Sequence, residues 1–138
     1  MPITIRKVDY AYVMLGDTPG EAGRILAALR DANVNLLAFS GFPHGRNKSQ
    51  IDLVTDDLAG LKAVTKQQKW KLSRAKRAFL GQGTDEVGAA IAPLAAVGGA
   101  KINIIAADVI SAGEGRCGML FWVEPRNYNR AARLLQAS

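Results

Sequence analysis

The stretch Leu15-Gly16-Asp17-Thr18-Pro19-Gly20-Glu21-Ala22-Gly23 joins two apolar runs of different period. Upstream, Val8 to Leu15 reads V-D-Y-A-Y-V-M-L, a short run of strand formers that fits a largely buried strand. Downstream, Ala22, Ile25, Leu26 and Leu29 fall at i, i+3, i+4 and i+7, the stripe of an amphipathic helix. Between the two, Asp17 and Thr18 are placed to accept hydrogen bonds from the first helical amides, and Pro19 presets the opening turn. Gly20 and Gly23 set no side chain in the way of a small molecule nearing the backbone. Free N–H groups and the positive end of a helix dipole suit a carboxylate. Taken alone, however, the stretch reads first as a capped strand-to-helix turn that binds nothing, because such caps are common.

Working outward, Val34 to Phe42 (V-N-L-L-A-F-S-G-F) predicts a strand that ends in the turn residues Gly41 to Gly45. Ser49 to Thr55 alternates Ile51, Leu53 and Thr55 against Gln50, Asp52 and Val54, the pattern of a half-buried strand. Asp56 or Asp57 then caps a helix over roughly 57–68, with Leu58, Leu61 and Val64 on its inner face. Trp70 to Gly81 resumes a strand-like pattern, as two short strands or one. The order is strand, helix, strand, strand, helix, strand.

The pattern then returns. A shift of 65 matches Leu15 to Leu80, Gly16 to Gly81, Glu21 to Glu86 and Gly23 to Gly88. After three inserted residues near Gly98-Gly99, a shift of 68 matches Asn35 to Asn103 and Gly45 to Gly113, so V-N-L-L-A answers to I-N-I-I-A. Gly115 to Glu124 supplies the third strand. Pro125 opens a last helix with the stripe Tyr128, Ala131, Ala132 and Leu135. On this alignment the second turn is Gly81-Gln82-Gly83-Thr84-Asp85-Glu86, which lacks the Pro-Gly pair. Pro93 should kink or break its helix. The second copy also stops before its final strand, which would leave a row of unpaired backbone groups. Ile3 to Lys7, or a strand from a second subunit, is expected to fill that gap.

A chain of 138 residues, nearly half apolar, suits one ordinary domain or two small repeats. No apolar run approaches the roughly 18–20 residues that span a bilayer, and Met1 to Lys7 lacks the layout of a secretory signal. A soluble, cytoplasmic protein is expected. The single cysteine, Cys117, sits among strand formers and reads as a small core residue. His44, the only histidine, has no second ligand type nearby, so neither a metal site nor a cofactor is expected. No Ser/His/Asp set and no phosphate-binding Gly loop is present, which argues against an enzyme. The net charge of +6 is concentrated in Lys62, Lys66, Lys69, Lys71, Arg74, Lys76 and Arg77; without those seven, 11 basic residues face 12 acidic ones. Such a run attracts phosphate backbones or acidic surfaces. Its helical spacing favours a solvated face, and only Trp70 and Phe79 are at hand for stacking, so nucleic acid is not the expected partner.

With strand, D-T-P-G turn, helix and V-N-L strand in sequence, the chain resembles the ACT-domain family, as two tandem copies over 1–73 and 74–138. The resemblance implies an α+β fold of two tandem ferredoxin-like βαββαβ repeats with antiparallel sheets, the second repeat lacking its final strand. It implies a non-catalytic regulatory protein that binds a small molecule, usually an amino acid, as a homodimer or beside a metabolic enzyme. Asp17, Thr18, Pro19, Gly20, Glu21 and Ala22 match the family's ligand loop. Asn35 and, in the second copy, Asn103 match the Asn of its second strand. Family copies often pair side by side, which would set loop 16–23 against the strand that holds Ile102, Asn103 and Ile104. The amides of Gly20 to Ala22 would then hold an α-carboxylate and Asn35 or Asn103 the amino group. Asp17 is either a cap or an ammonium acceptor, with the cap favoured, and either Asn equally fits a strand-end residue bonded to backbone. The rival function classes are an interaction and dimerisation module, or a binder of nucleic acid through the basic run.

Overall fold

In the computed structural model, which describes residues 2–138, the N-terminal apolar residues form one continuous strand, β1 (Ile3–Gly16). The chain continues through α1 (Glu21–Asp31), β2 (Ala38–Pro43), β3 (Lys48–Val54), α2 (Leu58–Gln67), β4 (Lys76–Thr84), α3 (Ile91–Gly99), β5 (Ile104–Gly113) and β6 (Arg116–Val123). A 3-10 turn at Pro125–Asn127 leads into α4 (Tyr128–Leu135). This is an α+β chain of two ferredoxin-like repeats built on antiparallel strands. Its two compact units are Asp9–Lys76, and Met1–Val8 with Arg77–Ser138. Within Asp9–Lys76 the strand order is β2-β3-β1, and within the other unit it is β1-β4-β6-β5. The sequence repeats divide at 73/74, whereas residues up to Val8 fold with the second repeat.

Those residues occupy the place of the strand that the second repeat lacks. Ile3 and Ile5 are 1% and 2% exposed and join the core of Phe79, Met119 and Phe121. The Lys7 N–H donates to the Ser138 carbonyl at 2.9 Å, and the Ser138 N–H donates to the Ile5 carbonyl at 3.2 Å. At the other end the Thr84 N–H donates to the Pro2 carbonyl at 3.2 Å. Of the two expected ways to fill the gap, the chain's own Ile3 to Lys7 is the one observed.

The same contact corrects the expected turn at Gly81 to Glu86, because β4 continues through it to Thr84. A Cβ on Gly83 would stand 2.0 Å from the Pro2 oxygen and 2.8 Å from the Ile3 Cα. One on Gly81 would stand 2.7 Å from the Ile3 Cγ2. Gly83 marks the close passage of another backbone, and Gly81 the crowding of neighbouring side chains, Met119 Cγ at 2.5 Å foremost, uses that glycine has in strands as well as in turns.

With that turn removed, one offset relates the strands and first helices of the two repeats. Ala11 pairs with Leu53 and Phe39 with Leu53; 68 residues on, Phe79 pairs with Phe121 and Ala107 with Phe121. The left-handed positions follow the same spacing: Gly20 and Gly88, Asn33 and Lys101, Gly45 and Gly113, Asn47 and Gly115. The shift of 65 expected for the first part of the repeat, with its three-residue insertion, is therefore replaced by 68 through the three strands and the first helix, and by 67 at the end of the second helix, where Lys69 answers to Gln136. Pro93 also loses its expected kink. Because α3 begins at Ile91, Pro93 lies in the first turn, where a missing N–H removes no intrahelical bond.

Each unit has its own core. In Asp9–Lys76, α1 and α2 pack Ile25, Leu29, Leu61 and Val64 onto Ala11, Val13, Ile51 and Leu53. The expected cap of α2 is present, with Asp57 accepting from the Gly60 N–H at 2.9 Å. The strand expected from Trp70 onward contracts to a single bridge, Leu72 to Val13, before β4 begins. In the other unit, α3 and α4 cover the sheet, and Cys117 is buried as the small core residue expected. Phe79 stacks on Tyr128 with ring centroids 4.4 Å apart, and the Tyr128 hydroxyl donates to the Ala78 carbonyl at 2.8 Å. Such aromatic pairs add about 0.5–1.5 kcal/mol beyond the area they bury. Among the described residues no helix is long and apolar enough to cross a membrane.

Two glycine substitutions separate these roles. Gly83→Ala is expected to destabilise the protein by about 1–3 kcal/mol or more, since its methyl group meets backbone. Gly98→Ala, with nothing within 4 Å of its Cβ and a helical position to favour, is expected to be neutral or stabilising by up to about 1 kcal/mol. Urea denaturation of both variants checks this; equal effects would contradict the close passage at Gly83.

Candidate functional site

The turn that opens α1 is built without a side-chain cap. Gly20 is the N-cap, at φ 92 and ψ −9, and no side chain bonds the first-turn amides. The Arg24 N–H reaches the Gly20 carbonyl at 3.0 Å, while the Ala22 and Gly23 amides meet no backbone acceptor among the described residues. The expectation that Asp17 and Thr18 cap the helix is thus corrected. The helix starts after Gly20, so Asp17 stands too far back along the chain to reach those amides. Instead Asp17 ties the loop to the β2–β3 hairpin. Its carboxylate accepts from the Ser49 hydroxyl at 3.2 Å, and its N–H donates to the Asn47 carbonyl at 3.0 Å. Glu21, in the first turn, pairs with Arg24 at 3.1 Å. Residues Asp17 to Gly20 are exposed, and Glu21 and Ala22 half-buried.

Asn35 lies elsewhere. β2 begins only at Ala38, so Asn35 belongs to the connection after α1, and its carbonyl accepts from the Thr55 hydroxyl at 2.9 Å. It lines a shallow groove of about 430 Å³ with Leu26, Arg30, Asn33 and Leu36. Between Asn35 itself and loop 17–22 runs the whole of α1, 11 residues or about 16 Å. Within its own unit, Asn35 is therefore not brought to the loop. In the second unit Asn103 likewise precedes its strand and is exposed, Ile102 is 3% exposed in the unit's own core, and Ile104 is half-buried against that core. Arg30 and Asn33 were not anticipated from sequence. Asn33 adopts φ 58 where the chain leaves α1, a requirement that a helical stripe does not reveal.

The offset of 68 exposes a second loop that the sequence alignment hid. Asp17-Thr18-Pro19-Gly20-Glu21-Ala22 corresponds to Asp85-Glu86-Val87-Gly88-Ala89-Ala90. The Asp85 N–H donates to the Gly115 carbonyl at 2.9 Å, as the Asp17 N–H does to Asn47, and Gly88 has φ 73, as Gly20 has 92. The second copy thus keeps Asp and Gly and replaces Pro19 with Val87. The loops differ at their ends, since α3 starts only at Ile91 and Asp85 accepts from Ser111 at 2.6 Å. The D-x-x-G spacing was present in the sequence but was masked by aligning Gly16 with Gly81.

One further ionisable group is unusual. Asp52, 5% exposed, accepts from the Gln50 amide at 2.9 Å. Burial pushes its carboxyl up, while the Gln50 bond and the Lys76 charge pull the other way. Asp52 pairs with Tyr12 across β1 and β3, and the Lys76 ammonium lies 5.1 Å from the Tyr12 ring centroid. The alternation expected for Ser49 to Thr55 is corrected here, because residues 51–54 are buried on both faces. The basic residues from Lys62 to Arg77 are exposed, as a solvated face would be. Among the described residues no three His, Cys, Asp or Glu side chains gather as metal ligands.

No family model and no curated sequence matches the chain. Solved structures share its fold. Protein BT0572 from Bacteroides thetaiotaomicron superposes with a TM-score of 0.76 at 13% identity, over 99% of this chain and 90% of that one. The regulatory subunit of aspartate kinase from Thermus thermophilus, in a ligand-free form, gives 0.62 at 15% identity, over 99% and 95%. The aspartokinase alpha and beta subunits give 0.61 at 17%, over 99% and 95%. At these identities the likeness is one of fold, and it extends over both repeats.

The capping assignments differ in their expected energetics. Asp57→Ala should cost about 1 kcal/mol in chemical denaturation, and Asp17→Ala less than about 0.5 kcal/mol, as for an exposed residue that caps nothing. Equal losses would return Asp17 to the role of a cap.

Proposed function

We propose that this protein is a non-catalytic regulatory module that binds a small carboxylate-bearing metabolite, an amino acid, at the loop Asp17 to Ala22. The observation that carries the reading is the uncapped start of α1, with Gly20 in the left-handed region and the Ala22 and Gly23 amides available. Those N–H groups and the positive end of the helix dipole stabilise an α-carboxylate. The resemblance to ACT domains and the fold shared with the aspartate kinase regulatory subunit support it. Because α1 separates Asn35 from the loop of its own repeat, a ligand at one loop would take its second-strand partner, Asn35 or Asn103, from another copy of the fold. Of the two apolar residues expected beside Asn103, Ile104 keeps surface for such a contact, whereas Ile102 is taken up by the core of its own unit. In this reading the protein works as a homodimer beside a cytoplasmic metabolic enzyme. The ligand shifts its arrangement only by differential affinity for two states.

A thermal-shift screen against the common amino acids at millimolar concentration tests this. One ligand should raise the melting temperature, with about 2.7 kcal/mol of stabilisation at a hundredfold excess over Kd. Gly23→Pro removes one first-turn amide at the third helical position, where α3 carries Pro93. The shift should vanish in that variant and weaken in Asn35→Ala. A shift unchanged in Gly23→Pro would place the ligand elsewhere; no shift with any amino acid would favour an interaction module.

A further inference from the structure

Among the described residues Asp52 is the only buried Asp, Glu, Lys, Arg or His. Alternation along β3 turns Ile51 and Leu53 towards α1 and α2, so Asp52 turns to the opposite face of the sheet. In its cross-strand row β1 places Tyr12 and β2 places Ser40. One donor reaches the carboxyl, the Gln50 amide at 2.9 Å. The start of β4 brings the one neighbouring cation, Lys76, yet no ion pair joins it to Asp52 among the described residues. Its ammonium lies instead over Tyr12, 5.1 Å from the ring centroid. A buried carboxylate with a single donor and no bonded cation is costly, whereas the neutral acid in the same place is not. Tyr12 is also where the connection from α2 to β4 is fastened. The Tyr12 N–H donates to the Ser73 hydroxyl at 2.8 Å, the Ser73 N–H donates to the Tyr12 carbonyl at 2.8 Å, and Leu72 bridges to Val13. Lys76, exposed and carried on a flexible four-carbon stem, closes that connection on the ring.

We propose that Asp52 and Lys76 form a protonation switch on the connection between α2 and β4. With Asp52 as the neutral acid, the Lys76 ammonium rests on the Tyr12 ring; with Asp52 as the carboxylate, it leaves the ring for that carboxylate. A cation over an exposed tyrosine face is held weakly. The attraction between an ammonium and a carboxylate taken out of water is stronger, so loss of one proton reverses the preference. Ser40 and Gln50 carry no charge, which leaves Lys76 as the group that responds. Burial raises the Asp52 carboxyl above its ordinary range, against the Gln50 bond and the Lys76 charge that lower it. The neutral acid is therefore the form that the fold favours. Its contribution to stability is present in acid and is lost as pH rises through the titration of Asp52 in the folded protein. The switch shares no residue with loop 17–22 and stands whether or not a ligand binds there.

An NMR titration of the full chain from acid to neutral pH reads both groups at once. The Asp52 carboxyl carbon should titrate with a midpoint above the ordinary value of 3.8. The Lys76 side-chain protons, shifted upfield by the Tyr12 ring in acid, should move downfield with that same midpoint. Asp52→Asn should abolish the Lys76 transition and remove the fall in urea stability that the unaltered chain shows as pH rises through the midpoint. Lys76→Met, which takes away the cation that favours the carboxylate, should move the Asp52 midpoint further up. The unaltered chain decides the matter even where a variant folds poorly. An Asp52 midpoint at or below 3.8, or Lys76 signals that ignore the Asp52 titration, would overturn the proposal.

Discussion

An unpaired strand edge inside a sheet is costly, because each buried N–H and C=O without a partner loses its hydrogen bond to water. The second repeat, one strand short, meets this cost along β4, and the N-terminal half of β1 removes it. Much else follows from that pairing. Ile3 and Ile5 become core residues of a unit whose other members lie more than seventy positions away in sequence. Gly81 and Gly83 are held as glycines by the strand beside them. The C-terminal Ser138 is tied by backbone bonds to Ile5 and Lys7. The long sequence separation also makes this edge a non-local contact, closed at the cost of loop entropy.

The repeats were legible because their strands and helices differ in period, and the amphipathic stripes of α2 and α4 appear in the cores as read, while of the stripe read for α1 only Ile25 and Leu29 are buried and Leu26 is 44% exposed. What misled was glycine. Gly81 and Gly83 look like a turn because glycine in a sequence signals either a turn or a close approach, and only the position of the second backbone distinguishes them. That one ambiguity produced the offset of 65, moved the second loop to the wrong residues and placed Pro93 in mid-helix. Asp52 shows a different limit: alternation identifies a strand, but it does not say whether the second face is covered.

The loop at Asp17 was found from sequence, and its internal wiring was not. A D-T-P-G stretch ahead of a helix reads as a cap because Asp and Thr are the commonest capping residues. Gly20 in the left-handed region moves the helix start three residues on, which leaves Asp17 bonded to Ser49 and the first-turn amides without a side-chain partner. Absence of a cap leaves the first-turn amides open, and the proposed reading rests on that feature rather than on the cap expected from sequence. Asn35, by contrast, was joined to the loop by resemblance alone, and the length of α1 shows that one repeat cannot supply both.

The dependence of the second repeat on the N-terminal strand is the claim on which the offset, the second loop and the position of β5 all rest. Native-state hydrogen exchange at the Lys7 amide tests it most directly, with the Gly45 amide in an exposed turn as reference. The account predicts that Lys7 exchanges as slowly as the core strands β4 and β6, opening only with the unit as a whole. Exchange at Lys7 as fast as at Gly45 would mean that the strand is not docked, and would contradict the account.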